Sequence, residues 1–317
     1  MKTKSFLGID FGGTKINFVL LKNNEIFYKR RILTGKIASG DDIVRKILTG
    51  VTKIEQKTSI LPSAIGIGLA GMVNHTSGQI TFLPNIGKIK DFPIIEHLSK
   101  KISVPAFLEN DVNTALLGEA CIGAAQNKQN VVFVSVGTGI GGAILIAGRI
   151  YTGKKGLAGE IGHLTVQENG LLCNCGKRGC LETVASGKGI ERYVTSEITK
   201  GKKTEMIDCK ITAKKIAQFA KRGDKLALQA YDQASHYLGK ICGNIINILN
   251  PEIIIFGGGV VESGLILRNT IRETKNYAMP SSLKDIKIVR SVLKNDAGAI
   301  GAAFLAKILK SKRDIYI

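Results

Sequence analysis

Several features are scarce or missing in this chain of 317 residues. It has no tryptophan, six cysteines, four histidines and six prolines. No apolar run approaches the roughly 20 residues that span a bilayer, so a membrane protein is not expected. The opening Met-Lys-Thr-Lys-Ser leads directly into a strand and leaves no room for a targeting segment, which predicts a cytoplasmic protein. In that compartment cysteines stay reduced, so a disulfide framework is not expected either.

Acidic residues are also few: 25 Asp and Glu stand against 45 Lys and Arg, a net charge of +20. Such a charge fits nucleic acid, an acidic surface or phosphate ligands. The lysines, however, are spread along helices and turns, and no basic run is interleaved with aromatics as in single-strand binders. We interpret the charge as solvated helix faces and expect neither nucleic acid nor a membrane as partner. Hydrophobic residues (44%) and 37 glycines suffice for about two domains with many tight turns.

The scarce cysteines and histidines are concentrated in one stretch, residues 159–182. It holds His163, Cys173, Cys175 and Cys180. Imidazole nitrogen and thiolate sulfur are the ligands that tetrahedral zinc prefers, and four of them make a closed, structural site. The alternative is a set of free buried thiols. If zinc is bound, two acids in this stretch, Glu160 and Glu182, would be fixed in a polar pocket braced by the metal. The alternative is that both are solvated loop charges.

The chain begins with a strand, a glycine turn and a second strand. The turn is Asp10-Phe11-Gly12-Gly13-Thr14-Lys15. Its backbone N–H groups, hydroxyl and lysine are groups that hold phosphate. Asp10, at the strand end, suits a hydrated Mg²⁺ shared with phosphate oxygens. The alternative is an ordinary glycine hairpin.

A cluster of polar residues, Glu109-Asn110-Asp111-Val112-Asn113, follows the buried strand predicted at 104–108. Ligands in α/β folds bind beyond the carboxyl ends of strands. Asp111 can take a proton, and Asn110 can both donate and accept hydrogen bonds. A helix follows, so either residue can instead be its N-cap. Earlier in the chain, Asp41 is expected to cap a helix.

A second glycine turn, Gly137-Thr138-Gly139-Ile140-Gly141-Gly142, follows the strand predicted at 131–136. It matches the dinucleotide fingerprint G-x-G-x-x-G, but that motif requires a helix next, and residues 143–150 have the pattern of a strand. The chain therefore repeats its opening strand–turn–strand unit, as if one unit were used twice. Near the end, Gly257-Gly258-Gly259-Val260 follows a strand, where a glycine turn can lie flat against a purine or simply connect a strand to a helix. Residues 297–310 are predicted to form the final helix.

Taken together and in this order, these motifs resemble the ROK family, which comprises bacterial repressors, open reading frames and sugar kinases. The resemblance covers nearly the whole chain. It implies an α/β fold of the two-lobed, actin-like (ribonuclease H-like) sugar kinase type with substrate in a cleft. The small lobe would be residues 1–117, completed by the C-terminal helix 300–317, and the large lobe with the zinc motif would be residues 118–299. It also implies a homodimer.

Residue roles follow from the resemblance as well. The sugar would be bound by Gly71, Asn85, Asn110, Asp111, Glu160, His163 and Glu182. The cofactors ATP and Mg²⁺ would be bound by Asp10, Gly12, Gly13, Thr14, Lys15, Gly137, Thr138, Gly139, Gly257, Gly258, Gly259 and Val260. Structural zinc would be held by His163, Cys173, Cys175 and Cys180. His163 can serve both zinc and sugar if one ring nitrogen binds metal and the other faces the sugar.

The resemblance predicts an ATP-dependent hexose kinase of the glucokinase type with Asp111 as general base. Many glucokinases of the family carry a tryptophan shortly after the Asn85 position, where this chain has Ile89. The sequence therefore leaves open N-acetylmannosamine, N-acetylglucosamine or fructose as the substrate. Ala143 replaces a common third glycine, a change expected to be harmless. A sugar-responsive regulator without catalysis is the alternative outside the enzyme class. Repressors of the family carry an added N-terminal helix-turn-helix, and the turn at Asp10 leaves no space for one.

Overall fold

The protein is described by a computed structural model that covers residues 4–84 and 86–311. The chain divides into two compact units. The first unit comprises residues 1–129, 143–158 and 295–317, and the second comprises residues 130–142 and 159–294. The lobe boundaries expected from the sequence stay a prediction, and residues 312–317 of the expected C-terminal helix lie outside the described residues, as does Asn85.

Thirteen strands and ten α-helices occur among the described residues. Up to residue 122 they are β1 (Ser5–Phe11), β2 (Lys15–Lys22), β3 (Glu25–Leu33), α1 (Gly40–Thr58), β4 (Ala64–Leu69), β5 (Met72–Asn74), β6 (Gln79–Phe82), β7 (Lys90–Phe92), α2 (Ile94–Ser99), β8 (Ala106–Asn110) and α3 (Asp111–Ile122). They continue with β9 (Val131–Val136), β10 (Ile140–Ile146), β11 (Arg149–Ile150), α4 (Leu181–Ala185), α5 (Gly187–Thr199), α6 (Ala213–Lys221), α7 (Lys225–Leu249), β12 (Ile253–Gly257), α8 (Leu267–Thr274), α9 (Pro280–Leu283), β13 (Lys287–Arg290) and α10 (Ala297–Lys310).

The two large sheets have the same strand order, as the repeated glycine turn predicts. The first runs β3-β2-β1-β4-β8 and the second β11-β10-β9-β12-β13. In the first sheet, β1 pairs antiparallel with β2 and parallel with β4, which in turn is parallel to β8. In the second, β12 is parallel to both β9 and β13. Each sheet thus places the ends of three parallel strands at one edge, where ligands bind in α/β folds.

Each unit has its own hydrophobic core. In the first, β1, β2 and β4 pack on α1, whose buried face includes Ile43, Ile47 and Ile54. In the second, the fully buried β12 packs with the long helix α7. The expectation that Asp41 caps α1 is wrong: the N-cap is Ser39, which accepts from the Asp42 backbone N–H in a capping box. Within residues 4–84 and 86–311, no helix combines the length and apolarity needed to cross a membrane.

Helix α10, the last described element, lies deep in the first unit. Its residues 297–306 are all buried. It approaches the sheet closely because Gly8 of β1 and Gly66 of β4 have no side chains: a Cβ on them would lie 1.9 Å and 1.8 Å from the carbonyl oxygens of Ala299 and Ala302. The bounds of α10 are those predicted from the sequence.

Candidate active site

One edge of the first sheet collects the predicted site residues of the first unit. Asp10, Gly71 and Asn110 lie at or just beyond the carboxyl ends of the parallel strands β1, β4 and β8. The register aligns Phe11 with Leu69 and Leu69 with Asn110, so the three strands end at one level. This is the arrangement that the sequence predicts for the cluster at 109–113.

Asn110 is the N-cap of α3, which confirms for this residue the helix-cap alternative predicted from the sequence. Its Oδ1 accepts from the backbone N–H groups of Val112 and Asn113 at 2.8 and 3.2 Å. Its Nδ2 donates to the Gly71 carbonyl oxygen at 3.1 Å. The buried Glu109 holds the same segment, because its Oε1 accepts from the backbone N–H of Asn110 (2.6 Å) and from Asn113 Nδ2 (3.0 Å). The amide is therefore rigidly placed, and Nδ2 retains a second hydrogen with which to donate to a ligand.

Asp111 is the first residue of α3 rather than its cap, and its side chain is partly exposed. A carboxylate at this position is stabilised by the N-terminal end of the helix. The capping function belongs to Asn110, so the helix does not depend on Asp111 for a cap.

The first glycine turn is closed and tied to the chain beyond β3. The Gly12 N–H donates to the Lys15 carbonyl oxygen at 3.0 Å, and the Thr34 hydroxyl donates to the Gly12 carbonyl oxygen at 2.6 Å. Gly13, Thr14 and Lys15 are exposed. Beside the turn, burial raises the pKa of Asp10 to about 6, although Asn17 and Arg31 oppose the rise. A carboxylate partly withdrawn from water next to a phosphate-type turn fits a site for Mg²⁺ and phosphate.

The second unit brings the four predicted zinc ligands together. Their ligand atoms lie within 4.8 Å of one another. Cys175 and Cys180 sulfurs are 3.6 Å apart, as are Cys173 Sγ and His163 Nδ1. A zinc–sulfur bond of about 2.3 Å places tetrahedral sulfurs about 3.8 Å apart, whereas a disulfide needs about 2.05 Å. The residues thus fit a zinc ion and not a disulfide.

The predicted sugar-binding residues of the second unit adjoin the cysteine cluster. His163 Nε2, the ring nitrogen away from Cys173, lies 3.8 Å from Glu160 Oε2. Burial raises the pKa of Glu160, a rise that His163 opposes and Glu182 reinforces. The two ring nitrogens therefore face different partners, as a histidine shared by zinc and sugar requires.

Glu182 joins this group to the second glycine turn. Its Oε2 accepts from the Ile140 N–H at 2.8 Å. A Cβ on Gly139 would lie 2.3 Å from the same oxygen, whereas one on Gly137 would meet nothing within 4 Å. Gly139 is thus needed for the close approach of Glu182 to the turn.

The second unit also contains a cavity of about 740 Å³, a volume typical of small-molecule sites. Gly137, Thr138, Gly259 and Val260 line it, as predicted for phosphate and nucleoside contacts, whereas Gly139, Gly257 and Gly258 are not in its lining. Its other walls come from the first turns of α5 and α6 and from polar residues of α5–α7 and the 3-10 turn at 261–263. These residues are Gly187, Lys188, Glu191, Ala213, Lys214, Ala217, Gln218, Lys221, Tyr231, Glu262 and Ser263.

The lysines of this cavity were not predicted as site residues from the sequence. Lys188 and Lys214 each stand two residues after an N-cap, Ser186 and Thr212. A helix N-terminus attracts anions, and a lysine in its first turn adds charge. The repeated pattern Ser-Gly-Lys and Thr-Ala-Lys was the available signal.

This chain is similar to known proteins over nearly its whole length. The ROK family matches residues 6–308. A glucokinase from Halalkalibacterium halodurans is 38% identical over 320 residues, covering 97% of this chain and 96% of that protein. The solved ROK family glucokinase from Streptomyces griseus in complex with glucose and AMPPNP is 29% identical with a TM-score of 0.82, covering 96% of this chain and 99% of that one.

A solved ROK family transcriptional regulator, a homolog of the E. coli MLC protein, is 28% identical with a TM-score of 0.87, covering 97% of this chain and 79% of that one. The α/β, actin-like fold class predicted from the sequence is confirmed by these similarities. The protein belongs to the ROK family.

Proposed function

We propose that this protein phosphorylates glucose with ATP and that Asp111 is the general base. The enzyme class is an ATP-dependent sugar kinase. Full-length similarity to a glucokinase carries the proposal. The polar groups at the end of β8 and beside the cysteine cluster support it, because a polyhydroxylated ligand needs a hydrogen-bonding partner for every buried hydroxyl.

A sugar hydroxyl is a poor nucleophile until its proton is removed as the bond to phosphorus forms. Asp111 is suited to this step because it is a partly exposed carboxylate that the helix does not use as a cap. Asn110 and Gly71, which hydrogen-bond to each other, would position the hydroxyl groups beside it. In the second unit, Glu160, His163 and Glu182 would bind further hydroxyls. Asn85, which lies outside the described residues, remains a proposed sugar contact from the resemblance.

The cavity of the second unit is proposed to hold the nucleotide. Gly259 and Val260 would contact the nucleoside, and Gly137, Thr138 and Lys188 would contact phosphate. The turn at 12–15 would bind phosphate in the first unit, with Asp10 holding Mg²⁺. Mg²⁺, when bound, neutralises charge on the transferring phosphoryl group. The zinc proposed at His163 and the three cysteines would be structural, because four protein ligands fill its coordination shell.

The test is ADP release measured with a coupled assay over glucose, mannose, fructose, N-acetylglucosamine and N-acetylmannosamine. We expect the highest kcat/KM with glucose. A preference for fructose or an N-acetylhexosamine would change the proposed substrate but leave the assignment as a sugar kinase unchanged. Absence of turnover with every sugar would contradict the enzyme assignment.

A sugar-responsive regulator is the second candidate, favoured by the TM-score of 0.87 to a transcriptional regulator. We propose instead that nucleic acid is not a partner. Sequence-selective duplex binding that weakens with salt would support the regulator. A homodimer and a cytoplasmic location are also proposed, and sedimentation of the purified protein tests the homodimer.

A further inference from the structure

Three side chains form a row across neighbouring strands beside the first glycine turn. Asp10 of β1 pairs with Asn17 of β2, and Asn17 pairs with Arg31 of β3. Asn17 Nδ2 donates to Asp10 Oδ2 at 2.9 Å, and Arg31 Nε donates to Asn17 Oδ1 at 2.6 Å. Directly opposed residues of adjacent strands are close enough for such contacts throughout the row. The sheet register therefore builds a continuous chain of hydrogen bonds that ends on Asp10.

Arg31 and Asp10 select the same orientation of the Asn17 amide from its two ends. A carboxamide has a donating and an accepting end, and only the donating end stabilises a carboxylate. Arg31 can only donate, so it binds the Asn17 oxygen and turns the NH₂ group toward Asp10. Without Arg31, only the hydrogen bond to Asp10 would hold this amide group, and its rotation would be less restricted.

The far end of the row is anchored at the start of α10. Asp296 Oδ1 lies 3.6 Å from Arg31, and its Oδ2 lies 2.5 Å from Lys29. Two residues later, Gly298 lets the helix approach Asp10: a Cβ there would lie 3.0 Å from Asp10 Cγ. Lys29 and Arg31 thus share one anchor on the same face of β3, but it is Arg31 that donates to Asn17.

We propose that Arg31 is a positioning residue. Acting through Asn17, it holds the Asp10 carboxylate in place to bind the metal–phosphate part of the phosphoryl donor. Asp10 and the turn at 12–15 are called the donor site here. The inference rests on the proposed function in one respect, the assignment of Asp10 and the turn at 12–15 to Mg²⁺ and phosphate. Its new content is that a residue on the third strand, outside every glycine motif, sets the affinity of that site.

The experiment measures binding of a non-hydrolysable ATP analogue by calorimetry with and without Mg²⁺, and binding of glucose, in the full-length protein. The variants are Arg31→Gln, Arg31→Lys and Asp10→Asn, and Lys29→Met is the matched control. Losing a hydrogen bond to a charged group weakens binding by about tenfold or more. We expect that loss in Mg²⁺-dependent nucleotide affinity for Arg31→Gln, partial recovery in Arg31→Lys, less than about twofold change in Lys29→Met, and glucose affinity unchanged in all.

The outcomes separate the two levels of the proposal. If Asp10→Asn leaves Mg²⁺-dependent binding intact, the assignment of the donor site itself is wrong. If Asp10→Asn weakens binding but Arg31→Gln behaves like Lys29→Met, the positioning role is wrong. Equal losses of nucleotide affinity, glucose affinity and melting temperature in Arg31→Gln would likewise overturn it, since they indicate a purely structural residue.

Discussion

Replacing Gly139 by alanine is expected to weaken sugar binding without unfolding the protein. The added methyl group would lie 2.3 Å from Glu182 Oε2, against an ordinary contact distance of at least 3.4 Å. The carboxylate must therefore move by about 1 Å, which the flexible end of a glutamate side chain can do. This movement also breaks its 2.8 Å hydrogen bond from Ile140 N–H.

The size of the effect follows from what Glu182 is proposed to do. A hydrogen bond from a sugar hydroxyl to a charged group contributes about 1.5–3 kcal/mol, so its loss weakens sugar binding by about 10- to 100-fold. A 1 Å misplacement of a substrate-positioning group can cost about 10²-fold in catalysis. Calorimetric titration with glucose in the absence of nucleotide measures the loss of sugar affinity, and initial rates measure the loss of catalysis.

Gly137→Ala is the matched control, because it adds the same methyl group to the same turn where nothing lies within 4 Å. We expect it to keep its glucose affinity and to change only nucleotide affinity, since Gly137 lines the cavity. Both variants should melt within a few degrees of the parent. Equal glucose affinities in the two variants would refute the reasoning, as would a Gly139→Ala protein that no longer folds.

Three further predictions concern other parts of the site. Asp111→Asn is expected to lower kcat by about 10²–10⁴-fold with glucose binding intact, and a kcat within a few-fold of the parent would exclude the general base. Cys175→Ala is expected to reduce zinc content, melting temperature and glucose affinity together, whereas Cys209→Ala, outside the cluster, should change none of them; full activity without zinc would contradict the structural role. Burial raises the pKa of Asp10 from 3.8 to about 6. The ionised carboxylate therefore destabilises the fold as the pH rises through this window. The free energy lost is at most about 3 kcal/mol, because solvent still reaches part of this residue. In chelator, urea unfolding of Asp10→Asn should therefore match the parent near pH 4 and show greater stability at pH 8, and a difference independent of pH would count against this.

The sequence predicted those parts of the molecule that depend on local pattern. Both glycine turns, the repeated strand–turn–strand unit and the bounds of α10 follow from strand length, turn residues and apolar runs. The His163 and cysteine cluster was also predictable, because Cys173, Cys175 and Cys180 lie within eight residues of one another along the chain. The capping error at Asp41 was a matter of two residues, since several adjacent polar residues can serve and only geometry selects Ser39.

Contacts that depend on tertiary packing were not predictable in the same way. The cavity walls from α5, α6 and α7 come from segments with no ligand motif, and only the folded chain brings Lys188, Lys214 and Tyr231 to one space. The row from Asp10 to Arg31 likewise depends on the pairing register of three strands. A register shift of one residue would send each side chain to the other face.

The position of α10 has a consequence for the order in which the protein can fold during synthesis. The glycine faces of β1 and β4 are completed by a helix that the ribosome makes almost 300 residues after β1 begins. At about 5–20 residues per second, the first sheet stays without this helix for tens of seconds. During that interval its apolar face is open to chaperones and to other nascent chains, and synthesis of the second unit, which ends at residue 294, is complete first. A chain truncated before residue 297 would therefore have all residues of the second unit and an uncovered first sheet.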